Sequence, residues 1–358
     1  MKQISWWRTA FGDEEIAKIT DAIHHEHLSM GPVTADFEQA IADKLGVPYV
    51  VATTSGSMAM LMALMAAGIK PGDEVIVPNR TWIATAHAPL LLGAKVVLVD
   101  VEPDRPIIDA TKIEEKITAR TKAIMPVHLN GRSAAMREVN QIAQKHGLKV
   151  IEDAAQAFCS RNKDGQLGAQ SFAGCFSLSV AKIISTGQGG FIVTRDKSTY
   201  EKLVLMRTHG VNDVINATYT EMGFNFRLTD VQAAIGIVQV GKVDKRIEHV
   251  KRIYNKYAGG LKDLPFLKFV PVNIASGEIP IYIEILAADR RRLMGHLSQN
   301  GIQTRPFYPD LDQAGYFIDK GDFPNSRPFG ECGLFLPSGP DQPLENIDYV
   351  ISTLRDYK

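Results

Sequence analysis

Lys149-Val150-Ile151-Glu152-Asp153-Ala154-Ala155-Gln156 opens as a short apolar run and closes on two carboxylates, two alanines and a glutamine. Val150 and Ile151 mark a buried strand, and Asp153 falls where that strand stops. Just upstream, Met136–His146 reads as a helix, with Gly147 as its stop signal. A helix therefore delivers the chain into a strand. The pattern repeats outward: Tyr49–Thr53, Glu74–Pro78, Lys95–Asp100 and Thr121–His128 are Val- and Ile-rich runs of strand length, and Ser57–Ala67 reads as a helix between the first two. Such alternation predicts an α/β domain with a mainly parallel sheet. In these sheets reactive groups gather at the carboxyl ends of the strands, which is where Asp153 stands.

Further along, a helical run spans Thr229 to about Tyr257. Thr229-Asp230-Val231-Gln232 has the form of a capping box at its start, and Gly259-Gly260 punctuates its end. The domain boundary is placed inside this helix, giving a large domain over residues 1–245 and a smaller α+β domain over 246–358. The small domain is predicted to hold a strand at Ile279–Leu286, a helix at Asp289–Asn300 and a last helix near Leu344–Tyr357. A chain of 358 residues suits two such lobes better than one core. Forty basic residues balance forty acidic ones, so no net field draws the protein to nucleic acid or an anionic membrane. The apolar stretch Met58–Ile69 is too short to span a bilayer, and Met1–Ala10 lacks a signal-peptide core. The three cysteines, Cys159, Cys175 and Cys332, form no CxxC pair, so a reducing cytoplasm fits best.

Lys182 stands out chemically. It is the only charged residue between Asp164 and Arg195, in Ser177-Leu178-Ser179-Val180-Ala181-Lys182-Ile183-Ile184. Its ammonium can snorkel to water, or its charge can be suppressed as a Schiff-base nucleophile requires. Asp153 can cap the next helix; in pyridoxal-phosphate (PLP) chemistry an aspartate instead pairs with the pyridine nitrogen and keeps the ring an electron sink. Gln156 could reach the same ligand. Thr54-Ser55-Gly56-Ser57 lies between a strand and an apolar helix, where free N–H groups and small side chains admit a phosphate. It is neither a Walker A loop nor GxGxxG. Trp82, just after Glu74–Pro78, is either a core aromatic or a flat face for a cofactor ring. His24-His25-Glu26-His27 does not converge on one ion, because neighbouring helical side chains point apart, and no metal site is expected.

Taken together, these residues resemble the DegT/DnrJ/EryC1/StrS family of sugar aminotransferases, of the type I PLP-dependent transferase fold. Ser29-Met30-Gly31-Pro32, Ser55-Gly56-Ser57, Pro78-Asn79-Arg80-Thr81-Trp82, Pro126-Val127-His128-Leu129, Glu152 to Gln156, Cys175 to Lys182, Gly187 to Gly190 and Gly223-Phe224-Asn225-Phe226-Arg227 occur in family order. The resemblance implies that Lys182 carries PLP as a Schiff base and moves the proton in each half-reaction. It implies that Asp153 pairs with the pyridine nitrogen, Gln156 contacts the ring hydroxyl side and Trp82 stacks on the ring. Gly56, Ser57 and Ser177 would hold the phosphate, with Asn225 completing the site from the other chain of a homodimer. The implied reaction takes an amino group from L-glutamate, through pyridoxamine phosphate (PMP), to a nucleotide-linked 4-keto-6-deoxyhexose in polysaccharide or deoxyamino-sugar biosynthesis.

Two segments depart from the family pattern. Gly301-Ile302-Gln303-Thr304-Arg305-Pro306 looks like the perosamine-synthase branch, but the histidine that many members carry a few residues later is replaced within Asp310-Leu311-Asp312. Asn130-Gly131-Arg132 replaces the more usual Tyr-Gly-Gln or Tyr-Gly-His. Both changes are expected to lie where the acceptor sits. Rival readings are a family enzyme acting on a cyclitol or small phosphorylated ketone, a PMP-dependent dehydratase, and a silent PLP-fold sensor. Lys182 argues against the dehydratases, which carry histidine there. Keeping Lys182, Asp153 and Gln156 together argues against a sensor, which needs neither a proton-moving lysine nor an electron sink.

Overall fold

The structure, a computed structural model, describes residues 3–211, 218–317 and 321–357. In chain order its main elements are α1 (Asp13–His24), α2 (Pro32–Leu45), β1 (Tyr49–Thr53), α3 (Gly56–Ala66), β2 (Glu74–Pro78), α4 (Ala84–Leu91), β3 (Lys95–Val99), β4 (Thr121–Ile124), α5 (Met136–His146) and β5 (Lys149–Asp153). A two-stranded hairpin, β6 (Arg161–Asn162) with β7 (Gly165–Gln166), precedes β8 (Ala173–Ser177), β9 (Gly190–Thr194) and α6 (Lys197–Arg207). Then come α7 (Asp230–Gly241), α8 (Val243–Leu261), β10 (Leu267–Phe269), β11 (Ile283–Ala287), α9 (Arg290–Gln299), β12 (Arg305–Pro306), α10 (Arg327–Cys332), β13 (Gly333–Leu336) and α11 (Leu344–Arg355).

Seven strands form one sheet in the order β1-β9-β8-β5-β4-β2-β3, and only β9 runs against the rest. Side chains alternate between its two faces. Val75, Val77, Ile151 and Cys175 pack toward α3 and α4, while Ile76, Ile124 and Val150 pack toward Met136, Val139 and Ala143 of α5. Burial on both sides explains why these strands read as continuous apolar runs. Four antiparallel strands, β10-β11-β13-β12, form the second sheet. Its core joins Ile283, Ile285, Leu334 and Leu336 to Tyr257 of α8 and Leu354 of α11. The first described residues also join it: Ile4 bridges to Ile302 and Trp7 to Ser338.

The helix read over Thr229–Tyr257 is two helices, with the break at Lys242. Its start is as the capping box predicts, the Thr229 hydroxyl accepting from Gln232 N–H at 3.3 Å. Gly259-Gly260 does not end α8. A Cβ at Gly260 would lie 2.8 Å from Ile351 of α11, so glycine here serves close helix packing rather than a stop. Some strands are shorter than their apolar runs, notably Thr121–Ile124. The next residues, Met125–Leu129, stay buried through single bonds, such as Met125 N–H to Ile76 O at 2.8 Å.

Candidate active site

The sheet register gathers one edge. Thr53 pairs with Gly190, Gly190 with Ser177, and Cys175 with Asp153, so the ends of β1, β8 and β5 and the start of β9 meet there. A cavity of roughly 590 Å³ opens over this edge, lined by Ser55, Gly56, Ser57, Trp82, Asp153, Gln156, Ser177 and Lys182 among others. Seven of the eight residues proposed from sequence thus reach one space. The exception is Asn225, which is exposed, accepts from Arg227 Nε at 2.9 Å and does not line the cavity of its own chain.

At one end of the cavity Ser55 caps α3, its hydroxyl accepting from Met58 N–H at 3.2 Å. The open N-terminus of α3 meets Ser177, Ser179 and Gln188, a polar cradle of the kind that holds a phosphate. A Cβ on Gly56 would come within 2.8 Å of Ser177 Cβ, so β8 can close on the helix start only because residue 56 is glycine. Similarly, a Cβ on Gly190 would lie 2.4 Å from the Ser55 carbonyl carbon.

Asp153 is buried and fixed. Its Oδ2 accepts from Thr85 Oγ1 at 2.6 Å and its Oδ1 from Ala155 N–H at 3.1 Å. Thr85, which the sequence reading missed, stands three residues after Trp82 on the same turn. Lys182 lies half-buried in the loop between β8 and β9. Desolvation lowers its pKa from 10.5 to about 8, against the opposing pull of the Asp153 carboxylate. An amine, a carboxylate and an anion cradle in one cavity fit PLP through aldehyde, ring nitrogen and phosphate respectively.

Aromatic residues line the rest: Trp6, Tyr282 and Phe335, which the sequence did not flag, and Tyr308, inside the departing segment 301–312. Trp82, 55% exposed, meets Tyr308 edge-on at 5.5 Å. Trp6 lies 6.1 Å from Tyr282, and Arg305 sits over the Trp6 ring at 4.3 Å. Among the described residues Arg305 pairs with no carboxylate. A signal for the unflagged part of this wall is the Trp6-Trp7 pair, two of three tryptophans placed side by side.

The two departures resolve differently. Arg305–Pro309 do line the cavity. Asp310 and Asp312 turn away: Asp310 pairs with buried Arg80 at 2.9 Å, and Asp312 accepts from Asn79 Nδ2 at 2.9 Å. Asn130 and Arg132 do not line the cavity, contrary to expectation, and are fully buried. Asn130, in the left-handed region at φ 55°, exchanges both side-chain hydrogen bonds with the backbone of Tyr282, at 2.9 and 2.7 Å. Its own N–H donates to Gln156 Oε1 at 2.7 Å. Arg132 bonds the carbonyls of Val270 and Pro271 and pairs with Glu284 at 2.6 Å. These residues staple the two lobes beneath the site. Among the described residues no three His, Cys, Asp or Glu side chains form a metal-ligand cluster, and no helix is long and apolar enough to cross a membrane.

Comparison with known proteins matches residues 10–355 to the DegT/DnrJ/EryC1/StrS aminotransferase family. The chain belongs to that family. It is an aminotransferase-family enzyme with the type I PLP aminotransferase fold. The GDP-perosamine synthase of Caulobacter vibrioides is 36% identical over 91% of this chain and 90% of its own length. The crystal structure of Streptomyces venezuelae DesV, in complex with a ketimine intermediate, is 30% identical, covers 99% of this chain and 98% of its own, and superposes with a TM-score of 0.93. The putative sugar aminotransferase Spr1654 of Streptococcus pneumoniae, solved in its PLP form, shares the fold at 21% identity, covering 99% of this chain and 98% of its own, with a TM-score of 0.92. DegT-family relatives thus frame the chemistry of the cavity.

Proposed function

We propose that this DegT-family enzyme is a PLP-dependent transaminase that moves an amino group from L-glutamate to a nucleotide-linked keto sugar, a 4-keto-6-deoxyhexose by preference. The observation that carries the reading is Lys182, an amine whose pKa burial lowers to about 8, set in one cavity with a fixed carboxylate. When bound, PLP supplies the carbonyl that accepts an amine and the ring that delocalises the electrons left when a proton departs. Lys182 would hold the cofactor through its side-chain amine and would move the proton at Nζ. Asp153, held by Thr85 and Ala155, keeps the ring nitrogen protonated. Gln156 is oriented by the Asn130 N–H, which donates to its Oε1, and faces the ring's hydroxyl side. Trp82 covers a ring face. Gly56, Ser57 and Ser177 hold the phosphate.

For the acceptor, the supporting features are the aromatic wall and Arg305. A sugar ring packs on aromatic faces, and a guanidinium that pairs with no carboxylate among the described residues suits a diphosphate. The relative named GDP-perosamine synthase supports the same class. Asn225, exposed beside Phe224 (68% exposed) and Met222 (73% exposed), is proposed to reach the cofactor phosphate of a second copy. Covering these apolar side chains is one gain of a homodimer. A cytoplasmic setting is part of the reading.

Borohydride reduction of the yellow holoenzyme, followed by peptide mapping, should place the adduct on Lys182. An adduct on another lysine sinks the assignment. A panel of keto-sugar nucleotides added to the PMP form then identifies the acceptor by return of the PLP spectrum.

A further inference from the structure

The loop that carries Lys182 has no regular structure between the end of β8 and the start of β9. A lysine on four rotatable bonds is aimed only as well as its backbone is fixed. Here the backbone is held from outside. The Val180 carbonyl accepts from Trp7 Nε1 at 3.0 Å and from Thr9 Oγ1 at 2.8 Å. The Ala181 carbonyl accepts from Tyr282 Oη at 2.7 Å. The Ile183 carbonyl accepts from Arg246 Nη1 at 3.3 Å. The loop's own bond at the lysine is Lys182 N–H to Ser179 O at 3.1 Å.

Tyr282 is the unusual member of this set, because its ring also forms the acceptor-side wall with Trp6 and Phe335. Its backbone is pinned by Asn130, which also orients Gln156. Burial pushes its phenol well above the ordinary value of 10.0, so the hydroxyl stays a donor. One side chain thus touches the substrate space with its face and the lysine loop with its hydroxyl.

We infer that Tyr282 is a positioning residue for Lys182, fixing the loop through the Ala181 carbonyl and linking the acceptor wall to the lysine, with Trp7 and Thr9 as a second grip one residue earlier. The inference rests on the reading of Lys182 as the point of cofactor attachment. It makes the wall part of the proton-transfer apparatus as well as a surface for the sugar.

Tyr282→Phe keeps the ring and removes only the donor. Three measurements apply: the rate at which apoenzyme captures PLP, the absorbance-derived fraction of bound cofactor linked to Lys182 at fixed pH, and the KM for the acceptor. We expect capture and the glutamate half-reaction to slow about tenfold and the linked fraction to fall, with acceptor KM within about twofold of wild type. The double change Trp7→Phe with Thr9→Val should slow capture in the same way while leaving the Tyr282 ring in place. A purely structural hydroxyl would lower the melting temperature of the apoprotein and leave capture rate and linked fraction unmoved; that result overturns the inference. So does a loss confined to acceptor KM. If wild-type protein captures no cofactor on Lys182, the parent reading fails instead, and the two failures are told apart.

Discussion

Asp153 and Ser177 reach the cavity on strands of one sheet, at positions set by backbone register. Trp6, Tyr282, Tyr308 and Phe335 reach it from four separate stretches of chain: Phe335 on β13, Tyr282 just before β11, Tyr308 just after β12, and Trp6 packed on Tyr282 and Phe335 from the N-terminal segment. The first arrangement tolerates little: residues 56 and 190 have no room for a single added carbon. The second is a mosaic, and its parts can change one at a time. A scaffold divided in this way keeps the amino-transfer chemistry fixed while the surface that meets the acceptor drifts.

Lys182→Ala tests the rigid side hardest. Its turnover should fall by at least about ten-thousandfold, since on the proposed function the same amine attaches cofactor and moves the proton. The variant should still bind PMP, which a fluorescence titration can read. Single-turnover mixing that runs near the wild-type rate would show that the fixed edge is not the seat of the chemistry. Asp153→Asn keeps the bonds from Thr85 and Ala155 within reach but removes the negative charge. Both half-reactions should slow at least about a hundredfold, with cofactor retained. Rates within a few-fold of wild type would reduce Asp153 to a loop brace.

The lowered pKa of Lys182 offers a third test. Capture of free PLP needs the neutral amine, whose share grows as pH rises and levels off above the pKa. Capture should therefore level above about pH 8, where a lysine at the ordinary value of 10.5 would still be climbing. A profile still rising at pH 10 would mean that the cavity does not strip the amine of water.

Arg305, on the mosaic side, should split the two substrates. Arg305→Ala should raise acceptor KM about tenfold and leave the glutamate half-reaction unaltered. A loss shared by both halves would place Arg305 with the fixed edge. Asn79 is buried and bonds Asp312 and Ser326, clasping the large-domain loop before Trp82 to the segment that carries Tyr308. Asn79→Ala should cost about 1–3 kcal/mol of stability in a denaturant titration and raise acceptor KM by a few-fold. An unchanged midpoint would mean the clasp is not needed to hold the lobes together.

The same contrast explains what was legible in the chain. Strands buried on both faces announce themselves as Val and Ile runs, and Asp153 ends one of them; β8, Ala173–Ser177, has no Val or Ile, and Lys182 beyond it is marked instead by its charge-free surroundings. Reading outward from β5 therefore located the cavity edge. Tyr282 gave no such signal: its partners Asn130 and Ala181 lie 152 and 101 positions away. Asn130 and Arg132 were correctly singled out as unusual, yet their burial under the site follows from pairing with β11 and the segment before it, which no local pattern encodes. The break at Lys242 was equally silent, since both helices share an apolar stripe that continues across it.

The strap formed by Ile4 and Trp7 ties opposite ends of the chain, through Ile302 and Ser338, to one surface. That has a consequence for how such genes can be shuffled. A crossover in the middle that imports only the last third of a relative would part Trp6 and Trp7 from the tyrosine and the strand they pack on. Recombinants that exchange both ends together should be recovered far more often than those that exchange either alone, so the two ends of this gene should be inherited as a linked pair.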